Sequence, residues 1–221
     1  MSSELSKDLE KAKDVLERLL QRVSRLRTSL EPFERGLSAK DFEASDVHIR
    51  GTPTGFICLP TALSPGDPLN ITVEGIMAES DKAPSLIKAA DDEESRAMCD
   101  RTIKMLEWEM EKTAGEEPQF LIVLRWSDMF EPLEKKKTGV IGKRYLAGSA
   151  EQLKAFVQTL KKAGIAVIFD DGEYGGGALT YELVQAFGES RSTLIAQLTL
   201  SRGVITDNVA ITRLLESLSS F

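Results

Sequence analysis

The sequence contains very little of the two side chains that most often ligate transition metals or support nucleophilic catalysis. Among 221 residues there is one histidine, His48, and there are two cysteines, Cys58 and Cys99. A single histidine excludes metal sites built from several histidines, and two cysteines are too few for a disulfide framework or an all-cysteine zinc site. We therefore expect His48 to be a polar strand residue and both cysteines to be small core residues.

Long apolar segments are also lacking. No run of about 18 apolar residues occurs, which excludes a transmembrane helix. The segment after Met1 is charged from Glu4 onward, which argues against a secretory signal peptide. Because 42% of the residues are hydrophobic and 29% are charged, the composition is that of an ordinary globular protein. We predict a cytoplasmic protein without a membrane partner.

Aromatic residues and net positive charge, which nucleic-acid-binding proteins commonly need, are both scarce. Only 6% of the residues are aromatic, and the net charge is −7. Residues 1–45 hold nine basic and nine acidic residues, so the other 176 residues, with 19 basic and 26 acidic ones, carry the whole charge. An acidic domain is repelled by nucleic acid, and base stacking needs clustered aromatic rings. Nucleic acid is therefore a disfavoured partner.

The most regular pattern is a heptad repeat of apolar residues near the N-terminus. Their spacing alternates between four and three with no helix breaker before Pro32, which predicts a coiled-coil helix. The repeat consists of Leu5, Leu9, Ala12, Leu16, Leu19, Val23, Leu26 and Leu30. We expect this helix to self-associate; binding to another protein and packing against the chain's own domain are the alternatives. The interacting residues would be Leu9, Leu16, Leu19, Val23, Leu26 and Leu30.

The chain divides into three parts. Residues 1–31 are the predicted coiled-coil helix, residues 32–45 a polar hinge that contains Pro32 and Gly36, and residues 46–221 a globular α/β domain. Helical patterns alternate with strand patterns in the third part, but several neighbouring strands read as hairpins. The fold class is therefore α+β or α/β: one sandwich domain with a mixed sheet, preceded by the helix.

Strand patterns recur along the globular domain. The segment at 120–126 has apolar residues on both faces, which predicts a strand at the centre of the sheet. Four prolines, at 53, 60, 65 and 68, crowd the stretch around 47–50 and 56–59, which predicts an edge strand and an ordered loop there. The segment at 140–146 is predicted to be a further edge strand, and 179–187 with 193–200 a hairpin. The full set of strand segments is 47–50, 56–59, 70–76, 120–126, 140–146, 165–169, 179–187 and 193–200.

Three helices are predicted in the same domain. The first covers residues 81–114. The second begins at Ser149, with Gln152 at the position of a capping box, and ends at Gly164. The third begins near Asp207. Because the second helix lies between two strands, those strands should be parallel.

An acidic turn follows the predicted buried strand 165–169. It contains Asp170, Asp171 and Glu173, and three consecutive glycines follow at 175–177. Carboxylates at the end of a strand can bind Mg²⁺ together with water and a phosphate group. Asp170, Asp171 and Glu173 are thus weak candidates for catalysis, and Asp170 and Asp171 for metal binding. An ordinary turn is the alternative, because Asp and Gly are common in turns.

A basic segment begins before the predicted strand at 140–146 and continues into it. It consists of Lys135, Lys136, Lys137, Lys143 and Arg144. These residues are candidates for binding phosphate groups or an acidic protein. The stretch TGVIGKR at 138–144 is not a phosphate-binding P-loop, because it lacks the first glycine and the final Ser or Thr of that motif.

The heptad repeat is longer than any catalytic pattern, and it favours a non-enzymatic assembly or adaptor protein that presents its α/β domain to a protein partner. On this interpretation the chain is a homo-oligomer without a cofactor. One alternative is an Mg²⁺-dependent enzyme that acts on a phosphorylated substrate. It requires Asp170 and Asp171 to lie close to Lys143 or Arg144. Another alternative is nucleic-acid binding through residues 135–144.

Overall fold

A computed structural model describes the globular domain in eight segments. These are residues 47–48, 55–60, 67–79, 85–88, 96–112, 118–127, 137–189 and 192–218. The predicted coiled coil at 1–31 and the hinge at 32–45 lie outside the described residues. None of the helices in the described segments combines the length and apolar character that crossing a bilayer would require.

A mixed β-sheet of seven strands forms the centre of the described domain. The strands are β1 (Val47–His48), β2 (Gly55–Leu59), β3 (Ser85–Lys88), β4 (Phe120–Ser127), β5 (Thr138–Gly142), β6 (Ala166–Asp170) and β7 (Leu194–Ser201). Their order in the sheet is β1-β3-β2-β4-β7-β5-β6. Strands β3, β2, β4 and β7 are parallel, β1 and β5 are antiparallel to their neighbours β3 and β7, and β6 is parallel to β5. The predicted mixed sheet is confirmed.

Helices cover both faces of this sheet. They are α1 (Pro68–Glu79), α2 (Arg96–Lys112), α3 (Ala150–Lys162), α4 (Ala178–Phe187), α5 (Arg202–Ile205) and α6 (Asn208–Leu218). Apolar residues of α1, α3, α5 and α6 share one buried cluster with alternate residues of the strands. Residues of α2 and α4 share a second cluster with the remaining strand residues. The domain is therefore a three-layer sandwich, which removes the apolar faces of the sheet from water.

The start of α3 has the local structure that the sequence predicts. The Ser149 hydroxyl accepts a hydrogen bond from the Gln152 backbone N–H at 3.1 Å, and the Gln152 side chain accepts one from the Ser149 N–H at 2.8 Å. The helix ends next to Gly164, whose φ of +81° favours glycine. The parallel pairing of β5 and β6 on either side of α3 is likewise confirmed.

The predicted strand at 70–76 is wrong, because this segment lies in α1. Asp67 caps the helix: its Oδ1 accepts hydrogen bonds from the backbone N–H groups of Leu69 at 2.8 Å and Asn70 at 3.1 Å. Pro68 occupies the first helical position, where it needs no hydrogen-bond partner for its nitrogen. The buried residues recur at helical spacing and are Leu69, Val73, Ile76 and Met77.

The predicted hairpin of 179–187 with 193–200 is also wrong. Residues 178–187 form helix α4, which buries Leu179 and Leu183 one helical turn apart. The following segment is strand β7, as predicted, but it pairs with β4 and β5 instead of with its predecessor. The alternation of apolar and polar residues at 179–187 fits a strand, whereas burial selects the helical spacing.

Three further segments differ from the prediction, one in its secondary structure and two in their position in the sheet. The predicted helix at 81–114 contains strand β3 before α2 begins at Arg96. The segment at 140–146, predicted at an edge, overlaps β5, which lies inside the sheet between β7 and β6. The segment at 165–169, predicted as buried, overlaps β6 at the sheet's edge, where Ile168 and Phe169 are 41% and 42% exposed. The central position of 120–126 is confirmed by β4, which lies between β2 and β7.

Candidate functional site

Two turns meet where β5 and β6 end. Gly142 pairs with Asp170, so both parallel strands leave the sheet at the same level. The Lys143 N–H then donates to the Asp170 carbonyl at 2.7 Å, and the Arg144 N–H donates to the Gly175 carbonyl at 2.9 Å. We call residues 142–145 and 170–177 together the turn junction. The predicted acidic turn and part of the predicted basic segment therefore lie against each other.

Charged side chains of opposite sign meet at the turn junction. Lys143 Nζ lies 3.7 Å from Asp171 Oδ2, and these side chains are 49% and 78% exposed. The guanidinium of Arg144 donates to the carbonyl oxygens of Asp171 at 2.9 Å and Gly172 at 3.1 Å. An exposed ion pair of this length contributes little to stability. Both charges are accessible to a ligand.

The two remaining acidic residues of the junction differ in their surroundings. Asp170 is half-buried, and its Oδ2 accepts a hydrogen bond from the Tyr174 N–H at 2.8 Å, which closes the acidic turn. Glu173 is exposed. Within the described segments no three His, Cys, Asp or Glu side chains are grouped so that they could hold a metal ion. The junction itself therefore offers at most two carboxylates to one cation.

Glycine is required where the two turns touch. A Cβ atom on Gly142 would lie 2.6 Å from the carbonyl oxygen of Gly175, which is closer than two such atoms can approach. Gly176 has a φ of +137°, and a Cβ there would lie 2.9 Å from Cδ2 of Tyr145. Gly142 and the glycine run at 175–177 thus allow the turns to pack.

The five predicted cations do not form one cluster in the part that the structure describes. Lys143 and Arg144 lie at the turn junction, whereas Lys137 precedes the opposite end of β5 and forms an ion pair with the Asp207 carboxylate. Lys135 and Lys136 lie outside the described residues. Strand β5 therefore separates the positive charge of Lys137 from the charges of Lys143 and Arg144.

Sequence reasoning missed a buried amide that holds the acidic turn in place. Gln197 of β7 is 4% exposed, and its Oε1 accepts a hydrogen bond from the Gly177 N–H at 2.8 Å. Its Nε2 lies 3.5 Å from the Tyr174 carbonyl and 3.3 Å from the Thr199 hydroxyl. The first turn of α4 and the acidic turn are thus both attached to strand β7.

The signal that could have revealed this face is a polar residue at every second position of β7. Gln197, Thr199 and Ser201 follow this spacing, and the register places Arg125 opposite Thr199 and Ser127 opposite Ser201. Alternate residues of a strand share one face, so these side chains form a polar row near the carboxyl ends of β4 and β7. This is the edge where open α/β sheets usually bind ligands.

Tyr174 connects the turn junction to this polar row. Its backbone belongs to the acidic turn, while its hydroxyl lies 3.3 Å from the Ser127 hydroxyl at the end of β4. The side chain is half-buried. A ligand at the junction would therefore lie beside a continuous set of polar groups that reaches the central strands.

Neither cysteine is placed to act as a nucleophile. Both are buried, and burial raises the pKa of the Cys58 thiol to about 12. The thiol is therefore protonated at neutral pH, which is the unreactive form. His48 lies in edge strand β1, where it pairs with Leu86.

Comparison with known proteins found similarity among solved structures alone. No protein-family model and no curated protein matches the sequence. A bacteriophage poly-gamma-glutamate hydrolase has a TM-score of 0.48 and 11% identity, covering 86% of this chain and 94% of that chain. A chain described as YNDL-apo, zinc-free, has a TM-score of 0.41 and 12% identity, covering 76% and 77%. A gene product from Agrobacterium tumefaciens has a TM-score of 0.43 and 12% identity, covering 85% and 98%.

This comparison corrects the prediction of a non-enzymatic assembly or adaptor protein. One of the similar chains is described as a hydrolase, and another is described by its zinc-free state. The adaptor prediction depended on the heptad repeat at 1–31, which lies outside the described residues.

Proposed function

We propose that the protein is an Mg²⁺-dependent enzyme that acts on a phosphorylated substrate at the turn junction. One observation carries the proposal: Lys143 and Arg144 lie against the turn that holds Asp170 and Asp171, with Lys143 Nζ 3.7 Å from Asp171 Oδ2. The enzyme alternative requires these two segments to be close, although 26 residues separate Arg144 from Asp171 along the chain.

Lys143 and Arg144 would bind the phosphate of the substrate. Both side chains are exposed at the junction, and hydrogen bonds from ammonium or guanidinium groups to phosphate are stronger than neutral ones. Lys143 can turn from Asp171 to a phosphate because the ion pair between them is long and exposed. Arg144 is held in place by the carbonyl oxygens of Asp171 and Gly172, which leaves other guanidinium N–H groups for a ligand.

The donor set fits a magnesium ion that binds together with its substrate. Mg²⁺ prefers oxygen ligands and is commonly held by one or two carboxylates, with water and phosphate oxygens as the other ligands. Asp171 offers an exposed carboxylate, and Asp170 offers the oxygen that does not accept from Tyr174. Because the described segments contain no larger group of ligands, the phosphate itself would have to complete the site.

Each group of the junction would then have a distinct role. Bound Mg²⁺ would polarise a phosphoryl oxygen and neutralise part of its charge. Lys143 and Arg144 would orient the phosphate and stabilise negative charge that develops on it. Gln197, through Gly177 and Tyr174, would keep the acidic turn in the position that the charges require.

The proposal is tested by assaying the full chain on p-nitrophenyl phosphate and inorganic pyrophosphate, with Mg²⁺ and with EDTA. We expect turnover only with Mg²⁺, a loss of about 100-fold in kcat/KM for Asp171→Asn, and a rise of about tenfold in KM for Lys143→Ala. The matched controls are Glu151→Gln and Lys154→Ala, which change exposed charges on α3. Both controls should behave as the unchanged protein.

Two outcomes would contradict the proposal. The first is turnover that is equal in the unchanged protein and in Asp171→Asn. The second is the absence of Mg²⁺-dependent turnover on both substrates, together with salt-sensitive binding of a single-stranded oligonucleotide that Lys143→Ala weakens. The second result would support the nucleic-acid alternative, whose affinity depends steeply on salt.

A further inference from the structure

Within the described residues, strand β6 forms an unprotected edge of the sheet. It is the last strand in the order, with no neighbour beyond it among the described residues. Its sequence, AVIFD, has high strand propensity, and Ile168 and Phe169 are 41% and 42% exposed. Edge strands usually carry lysine, proline or a bulge that prevents pairing with another chain. Residues 166–170 contain neither lysine nor proline.

The outward hydrogen-bonding groups of β6 can be assigned from its contacts with β5. The Ala166 N–H donates to the Lys137 carbonyl at 2.8 Å, and the Asp170 carbonyl accepts from the Lys143 N–H at 2.7 Å. Residues 166, 168 and 170 therefore direct their backbone groups toward β5. By the alternation of a strand, Val167 and Phe169 direct their N–H and C=O groups away from the sheet.

We propose that β6 pairs antiparallel with β6 of a second copy, about a twofold axis at Ile168. In this register Val167 faces Phe169 of the second copy, and the two residues exchange both backbone hydrogen bonds. Ile168 faces Ile168 as a non-hydrogen-bonded pair, in which side chains approach most closely. A twofold interface of this kind is self-complementary, so the same groups are satisfied in both copies.

The charges on either side of β6 favour the antiparallel arrangement. Lys161 and Lys162 lie in the exposed last turn of α3, shortly before β6 begins, and Asp170 and Asp171 lie where β6 ends. Antiparallel pairing places the basic start of one strand beside the acidic end of the other. Parallel pairing would instead bring like charges together. This interface does not depend on the proposed enzyme activity.

The first test is sedimentation of the full chain. We expect a dimer that Ile168→Lys weakens by at least about 100-fold in Kd, because two lysines would face each other across the axis. The matched control is Val209→Lys, an equally drastic change on α6 at a side chain that is 59% exposed. The control should leave the dimer intact. Circular dichroism of both variants checks that the fold is retained.

The second test measures the register by disulfide trapping. Non-hydrogen-bonded antiparallel pairs place Cα atoms about 4.5 Å apart, within the range that a disulfide spans. We expect Ile168→Cys to form a disulfide-linked dimer on mild oxidation and Ala166→Cys, which would face Asp170 of the second copy, to form none. Native Cys58 and Cys99 are buried and should not react.

Each remaining outcome would overturn the proposal. A chain that is monomeric at about 100 µM has no such dimer. A dimer that is unchanged by Ile168→Lys assembles through another surface. Equal trapping of Ile168→Cys and Ala166→Cys would show collisional oxidation or a different register.

Discussion

The indole N–H of Trp126 donates a hydrogen bond to Oδ2 of Asp67 at 3.0 Å, across 59 residues of chain. Trp126 lies near the carboxyl end of β4, and Asp67 precedes α1, the helix that follows β2. Strands β2 and β4 are neighbours in the sheet. The next strand after β2 is β3 and the next after β4 is β5, and these two lie on opposite sides of the β2–β4 pair. One carboxylate therefore fixes both the start of a helix and the end of the central strand.

Replacing Asp67 should destabilise the domain. Asp67→Ala removes the acceptor for the Leu69 and Asn70 N–H groups and for the Trp126 indole, and we expect a loss of about 2 kcal/mol in the free energy of unfolding. Asp67→Asn, which keeps one acceptor oxygen, should lose about half as much. Urea unfolding measures both. An Asp67→Ala variant as stable as the unchanged protein would contradict the role assigned to this carboxylate.

Gln197 acts as the cap that α4 lacks in its own sequence. The N-cap residue is Gly177, which has no side chain, and its N–H is bound by Oε1 of Gln197. We expect Gln197→Leu to cost about 2 kcal/mol, because the amide partners lose their hydrogen bonds in a buried place. Gln158→Leu on the exposed surface of α3 is the control, and it should change stability by less than about 0.5 kcal/mol. Exchange of the backbone amide hydrogens of residues 174–180 should accelerate in Gln197→Leu but not in the control Gln158→Leu.

The ion pair between Asp207 and Lys137 should make stability depend on pH in the acid range. The hydrogen bond from Lys137 is the largest cause that lowers the pKa of Asp207 below its ordinary value, followed by the backbone N–H of Ala210. A carboxylate whose pKa is lower in the folded state stabilises the fold above its unfolded pKa, about 4. This contribution is lost as pH falls through the folded value.

The measurement is urea unfolding between pH 6 and pH 2, with about 4 as the point where the difference should begin to shrink. Asp207→Asn should be less stable than the unchanged protein at pH 6, and the two should converge toward low pH. Lys137→Met should flatten the profile in a similar way, because it removes the largest cause of the shift. A constant difference between the proteins over the whole range would contradict the assignment.

Two glycine-to-alanine changes should have opposite signs. Gly142→Ala places a Cβ 2.6 Å from the Gly175 carbonyl oxygen, so we expect the turn junction to open, stability to fall by about 2 kcal/mol and binding of inorganic phosphate to weaken. Gly75→Ala lies in α1 with nothing within 4 Å, and it should stabilise by about 0.5–1 kcal/mol. Thermal unfolding and phosphate titration test both. A phosphate affinity that is unchanged in a folded Gly142→Ala protein would separate the junction from ligand binding.

Local sequence signals predicted elements well where the local preference and the final burial agree. The capping box of Ser149 and Gln152, the start of a helix near Asp207 and the central strand 120–126 are confirmed. Each depends on groups that lie close together in the chain. The apolar residues of 121–124 also required layers on both faces, which the sandwich supplies.

Predictions failed where distant contacts decide between two local possibilities. The segment 70–76 contains β-branched residues that favour a strand, but the Asp67 cap and the buried Leu69 and Val73 select a helix. The apolar run 165–169 reads as buried, yet its place at the edge follows from the position of β7, which no local pattern encodes. The enzyme alternative requires the approach of Lys143 to Asp171. The role of Gln197 does not follow from the sequence, because the polar spacing of β7 does not show which distant groups its amide binds.

Among the described residues, strand β7 is the last strand in chain order, yet it joins the two halves of the sheet. It begins at Leu194 and lies between β4 and β5, which do not pair with each other in the described domain. A nascent polypeptide that has not yet released residues 194–201 from the ribosome can form only two separate half-sheets, each with an open apolar border. Completion of the fold thus waits for the synthesis of β7, and a truncation before Leu194 would yield aggregation-prone fragments instead of a smaller domain.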